Sequence, residues 1–172
     1  VRDDLPQIVA AGREAGFKHI LVNTNDIRIA REPDYLKRLK EAGTSAVYLQ
    51  FDGISDDVYL YTRGKNLFDI KKKAVANCAL ENIGVVLVPV IIPRVNDHQL
   101  GGIVKFAKEW LPTVRGIHIQ PISYIGRYPD PPQDEDRITI PDVIDSLEEQ
   151  TSGELKWKDF LPRHVEEAHC SF

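Results

Sequence analysis

The residues of this chain that could do chemistry are amides, carboxylates and guanidinium groups standing at the ends of apolar runs. Asn23 and Asn25 close HILVNTN (His19–Asn25), and Gln50 and Asp52 close AVYLQFDG (Ala46–Gly53). Arg94 and Asp97 close GVVLVPVIIPRVND (Gly84–Asp97), while His118 and Gln120 lie in GIHIQPIS (Gly116–Ser123). Arg63 stands in the polar link after the second run. Such groups hydrogen-bond the edges of a polar ligand, and the fixed donor fork of arginine suits a carboxylate. None of the four run ends carries a lysine for a Schiff base, and only Asp52 and Asp97 are acidic there.

Each of these residues also has a local explanation. Asn23 and Asn25 are natural turn formers, Asp52-Gly53 is a common turn pair, and His118 could be a satisfied core histidine. Their convergence is what raises a site above those readings. Side chains alternate along a strand, so Val47, Leu49 and Phe51 form one set and Tyr48, Gln50 and Asp52 the other. Ile117 and Ile119 likewise oppose His118 and Gln120, and Ile20 and Val22 oppose His19, Leu21 and Asn23. If the runs lie parallel, the polar sets gather on one rim, at the carboxyl ends where wound parallel sheets bind ligands.

The elements needed to position that rim are legible as alternating strands and helices. Asp3 or Asp4 can cap a first helix with Pro6 in its first turn, Gly16 at its exit, and Leu5, Ile8, Val9 and Gly12 as its buried stripe. Pro33 and Gly43 bracket a second helix, with Leu36, Leu39 and Lys40 at helical spacing. The link ISDDVYLYTRGKN has room for a short helical turn. A long helix is predicted from about Leu67 to Asn82, with Ile70, Ala74 and Cys78 on one face and Lys71-Lys72-Lys73 on a solvated one. Asp97 can cap the next, whose apolar face is Leu100, Ile103, Val104, Ala107 and Trp110. After Ser123 comes a Pro-rich acidic loop and a short helix, IPDVIDSLEEQ, with Thr139 as its cap.

The fold class this defines is α/β, a partial, open TIM barrel of parallel βα units. Residues 1–125 form the barrel piece of about four units, and residues 126–172 form an extension. Four strands cannot close a barrel, so two edges stay unpaired and invite a dimer. The first helix has no strand before it and the chain contains no methionine, which suggests a piece truncated at its N-terminus. A net charge of −4 argues against nucleic acid, and no run is long enough to span a membrane. Two cysteines make no disulfide framework, so a cytoplasmic location is expected. Cys78 reads as packing, and His164, His169 and Cys170 fit no familiar zinc spacing.

Together NTN, QFDG, the YTRG link, VLVPVIIPRVND and HIQPIS resemble the radical S-adenosylmethionine (radical SAM) superfamily, in its MoaA/PqqE-like branch, over roughly Val1 to Ser123. In that family a GGEPT-like strand end precedes a helix beginning much like VRDDLPQIV. FDG…YLYTRGKNL and VPVIIPRVNDHQLGGIVKFA look most like a group that includes pterin C-methylating and tetraether-lipid-forming enzymes.

The resemblance implies a [4Fe–4S] cluster and S-adenosylmethionine, whose reductive cleavage starts radical chemistry on a small-molecule or cofactor-precursor substrate. It places Asn23 and Asn25 near the methionine part, Gln50 and Asp52 near the ribose and sulfonium, Arg63 on the carboxylate, and the Gln120-Pro121 backbone at adenine. It assigns no catalytic residue and no metal ligand in this chain. The CxxxCxxC loop and GGEP of the family are absent, so the chain alone is expected to be inactive, with Cys170 a conceivable remnant of an auxiliary ligand. Two other readings stand beside this one: a non-catalytic ligand-binding or assembly module, and an aldolase- or decarboxylase-type lyase on a similar half-barrel.

Overall fold

The structure, a computed structural model, describes residues 2–125 and 131–161. Its centre is a four-stranded sheet of β1 (Leu21–Thr24), β2 (Ala46–Gln50), β3 (Gly84–Val88) and β5 (Val114–Ile117), in that order and all parallel. Two short strands, β4 (Val90–Ile91) and β6 (Gln120–Pro121), continue β3 and β5 as a second parallel pair. The long third run is therefore two strands. Pro89 falls between them, and proline has no N–H to give to a ladder. The fourth run is broken in the same way, with β5 starting earlier than expected and a register shift opposite Val85/Val86.

The connections are α1 (Leu5–Glu14), α2 (Ile27–Arg31), α3 (Pro33–Glu41), α4 (Asp56–Arg63), α5 (Phe68–Leu80) and α6 (Leu100–Glu109). One core takes Val47 and Leu49 of β2, Phe51 just beyond it, Val85 and Leu87 of β3 and Val114 of β5, together with residues from α2, α3, α5 and α6. The alternation expected for β2 is thus realised, with those three side chains fully buried and Tyr48 and Gln50 half-buried on the opposite face. Val9, Val22, Tyr35 and Leu39 form a smaller cluster beneath β1. Helix α7 (Ile140–Gln150) packs Val143 and Leu147 against Ile91 and Leu100. It opens on the expected cap: Thr139 Oγ1 accepts from Asp142 N, and the Asp142 carboxylate accepts from Thr139 N at 2.8 Å.

Three sequence expectations need correction. Ile8 is 45% exposed, because α1 meets α3 along a single line and Val9 occupies it. The link after β2 is not a turn but the eight-residue helix α4, anchored by buried Val58 and Tyr59 and ended by Gly64 at φ +67°. Lys71 is not on a solvated face; it is 0% exposed. Cys78 packs in the core as expected, and burial pushes its thiol up to about 12. His164, His169 and Cys170 lie outside the described residues.

Candidate functional site

Parallel register brings the polar residues of neighbouring strands level with one another. Asn23 pairs with Tyr48, Tyr48 with Val86, and Val86 with Gly116. One step further toward the carboxyl ends, Gln50 lies opposite Val88, and beyond the break Val90 lies opposite Gln120. Asn23, Asn25 and Gln120 are exposed, and their side chains make no hydrogen bond among the described residues. Pro121 is half-buried beside them in β6. The rings of Tyr48 and His118 approach on this inner face with centroids 6.2 Å apart.

The end of β2 is held by a closed polar network. Asp52, 1% exposed, accepts from Gln50 Nε2 at 2.8 Å and from Arg63 Nε at 3.0 Å, both through Oδ2. Arg63 Nη2 lies 2.9 Å from the same oxygen, and Oδ1 accepts from Val90 N at 3.4 Å. Arg63 Nη1 has no partner among the described residues. Beneath, Asn96 Nδ2 donates to the carbonyls of Asp52 and Val90, each at 2.7 Å, while its Oδ1 accepts from Ile92 N at 2.7 Å. Gln99 Oε1 accepts from Ile54 N at 2.8 Å. A Cβ on residue 53 would stand 2.6 Å from that oxygen and 3.1 Å from Val58 Cβ, so a larger residue there would displace the Gln99 amide.

The end of β1 is held differently. Asp26, in the left-handed conformation at φ +67°, is fully buried and pairs through Oδ2 with Lys71 Nζ at 3.0 Å. Lys71 Nζ also donates to the Asn25 carbonyl at 3.1 Å. Asp26 Oδ1 is buried without a hydrogen-bond partner among the described residues. Burial pushes the Asp26 carboxyl up to about 7, against the pull of Lys71, and the charge of Asp52 adds to the rise. Tyr59 of α4 stands between the two ends. Its hydroxyl donates to the Gly53 carbonyl at 2.9 Å, and its ring lies 5.8 Å from Lys71 Nζ. Burial raises the pKa of that phenol.

Of the residues the sequence points to, Asn23, Asn25, Gln50, Asp52, Gln120 and Pro121 lie along the carboxyl ends of parallel strands, and Arg63 lies in α4, joined to Asp52. The sequence pattern does not single out Asp26, Lys71, Asn96, Gln99 or Tyr59. Lys71 carried a usable signal, since it shares the i, i+3, i+4, i+7 stripe of Ala74, Val75 and Cys78. Arg94 leaves the strand ends: it pairs with Asp136 and donates to the Glu135 carbonyl.

A parallel α/β sheet with α2, α3, α5 and α6 packed on one face and a polar row at its carboxyl ends is a framework suited to holding a ligand. The profile of the Radical SAM superfamily matches residues 1–107, and the chain belongs to that superfamily. It is 49% identical over 165 residues to 7,8-dihydro-6-hydroxymethylpterin dimethyltransferase of Methanocaldococcus jannaschii, covering 94% of this chain and 32% of that protein. Fe-coproporphyrin III synthase of Methanosarcina barkeri is 37% identical over 85 residues, 49% of this chain and 21% of that one. A probable GTP 3',8-cyclase of Methanothermobacter thermautotrophicus is 26% identical over 110 residues, 63% of this chain and 35% of its own length. The chain therefore spans a third or so, at most, of the curated relatives it matches.

Membership implies S-adenosylmethionine and a [4Fe–4S] cluster for the enzymes of the family, and the two groups fit these residues unequally. The described residues contain no group of three or more His, Cys, Asp or Glu able to hold a metal ion, and Cys78 is sealed in the core with its thiol protonated. They do not fit a cluster. A polar ligand does fit the rim: among the described residues the amides of Asn23, Asn25 and Gln120 and the Nη1 of Arg63 have no hydrogen-bond partner. No helix among the described residues is long and apolar enough to cross a membrane.

Proposed function

We propose that this chain forms the S-adenosylmethionine-binding rim of a radical SAM enzyme in the MoaA/PqqE-like branch, acting on a pterin-like small molecule. The observation that carries this is the Gln50–Asp52–Arg63 arrangement at the carboxyl end of β2, in a parallel sheet with α2, α3, α5 and α6 packed on one face. In the intact enzyme the bound cofactor supplies the radical that removes a hydrogen from the substrate. The work of these residues is to bind and orient it.

Asp52 is too deeply buried to touch the ligand. Its role is to fix the Gln50 amide and the Arg63 fork, which then meet the ribose and the methionine carboxylate through the donors Asp52 leaves unused. Asn23 and Asn25 flank the methionine part, and the Gln120-Pro121 backbone meets adenine. The pterin-like substrate is suggested by the dimethyltransferase relative and by its 49% identity over nearly the whole chain. Among the described residues β1 and β5 have unpaired edges, where further barrel strands or a second copy would add. The lyase reading loses support because Lys71, the lysine nearest a strand end, is buried and paired. Anaerobic reconstitution of the intact gene product with iron and sulfide, followed by S-adenosylmethionine and dithionite, tests the proposal. Release of 5′-deoxyadenosine supports it; a protein that binds iron–sulfur but leaves the nucleoside intact contradicts it.

A further inference from the structure

Two residues of the β1 end touch no surface, yet they decide where the rim amides stand. Asp26 directly follows Asn23-Thr24-Asn25 and is in the left-handed conformation, which Asp tolerates better than most L-residues and which the bond from Asp26 N to Thr24 Oγ1 supports locally. Lys71 braces the turn from below: one ammonium binds both the Asp26 carboxylate and the Asn25 carbonyl, at 3.0 and 3.1 Å. The same ammonium lies near the Tyr59 ring, and the Tyr59 hydroxyl holds Gly53 beneath the β2 end. Lys71 and Tyr59 thus couple the height of Asn25 to that of Asp52. A well-packed pair of apolar side chains would stabilise this spot at least as well as a buried ion pair. What an ion pair adds is direction, because it fixes one carbonyl and one turn in a single orientation.

We propose that Lys71 and Asp26 are positioning residues of the ligand rim, setting Asn23 and Asn25 against Gln50 and Arg63 and so setting the affinity for S-adenosylmethionine. This rests on the radical SAM reading given above. The pair acts through the Asn25 carbonyl and the turn it closes, and contacts no ligand itself.

The test is calorimetric titration of S-adenosylmethionine into the anaerobically reconstituted intact gene product. Wild type is compared with Lys71→Met, Asp26→Asn and Lys72→Met, the last altering a surface pair with Asp69 on the same helix. Thermal midpoints are measured alongside, and binding is read at a temperature where every variant used is folded. Lys71→Met and Asp26→Asn are expected to raise Kd by about tenfold, and Lys72→Met to leave it unchanged. If Lys71→Met does not fold, Asp26→Asn decides alone, because it keeps the side-chain size and an acceptor for Lys71. Lowered thermal midpoints with wild-type Kd would show a merely structural pair and overturn the proposal. A wild type that binds no S-adenosylmethionine would overturn the functional reading itself, and this inference with it.

Discussion

The two strand ends beneath the rim each bury an aspartate, and the molecule treats them in opposite ways. Asp52 is surrounded by donors: a side-chain amide, a guanidinium and a backbone N–H, with Asn96 tying its own carbonyl below. Among the described residues Asp26 has one cation, and one of its oxygens is left without a partner. The Asp52 network opens toward the rim through Arg63, which is partly exposed, whereas Asp26–Lys71 is closed on all sides. A carboxylate with many donors can present them to a ligand; a carboxylate with one buried cation can only hold backbone in place. The β2 end is built to contact, and the β1 end to aim.

That contrast can be broken by substitution. Lys71→Met should cost the most, about 3 kcal/mol, because removing one partner strands the other in the buried interior; urea unfolding measures it, and a loss below about 1 kcal/mol would mean the β1 end is not closed. Asn96→Ala comes next at about 2 kcal/mol, since two carbonyls and the Ile92 N–H lose their buried partner together. A loss as small as that of a surface residue would show that the β2 network relaxes onto other donors.

The pH dependence sharpens the same comparison. The Asp26 carboxyl rises from 3.8 to about 7 on folding. A raised folded value means the native state holds the proton more tightly than the unfolded chain. Its contribution is fully present below about pH 4 and is lost as pH rises through about 7. Wild type should therefore lose stability relative to Asp26→Asn across that window, and a constant difference would contradict the assignment. The smallest effect belongs to Arg94→Ala: its pair with Asp136 is largely exposed, so the change should stay under about 1 kcal/mol.

Much of the framework was legible because it depends on periodicity. The alternation in AVYLQ predicted which side chains of β2 are buried, and Thr139 announced the start of α7. The strand breaks at Pro89 and after Ile117 were less visible, since an apolar run does not show where a ladder shifts register. The rim residues were legible as strand ends, but their partners were not. Asp26 and Lys71 are 45 residues apart, and Asp52 and Asn96 are 44 apart, so those pairings are made by tertiary packing. Lys71 was hidden by its neighbours Lys72 and Lys73, which do face outward, although its place on the Ala74–Cys78 stripe was there to be read. Arg94 resembled a strand-end residue and was drawn away by Asp136, a partner in the acidic loop.

At the β2 end a buried acid aims an amide and a guanidinium at the ligand. Equilibrium binding of S-adenosylmethionine to the reconstituted intact protein, compared between wild type and Arg63→Ala, addresses this most directly. The prediction is a Kd at least about tenfold weaker, read at a temperature where both proteins are folded, together with a lowered thermal midpoint because buried Asp52 loses its guanidinium partner. Equal affinity in the two proteins, both fully folded, would contradict it.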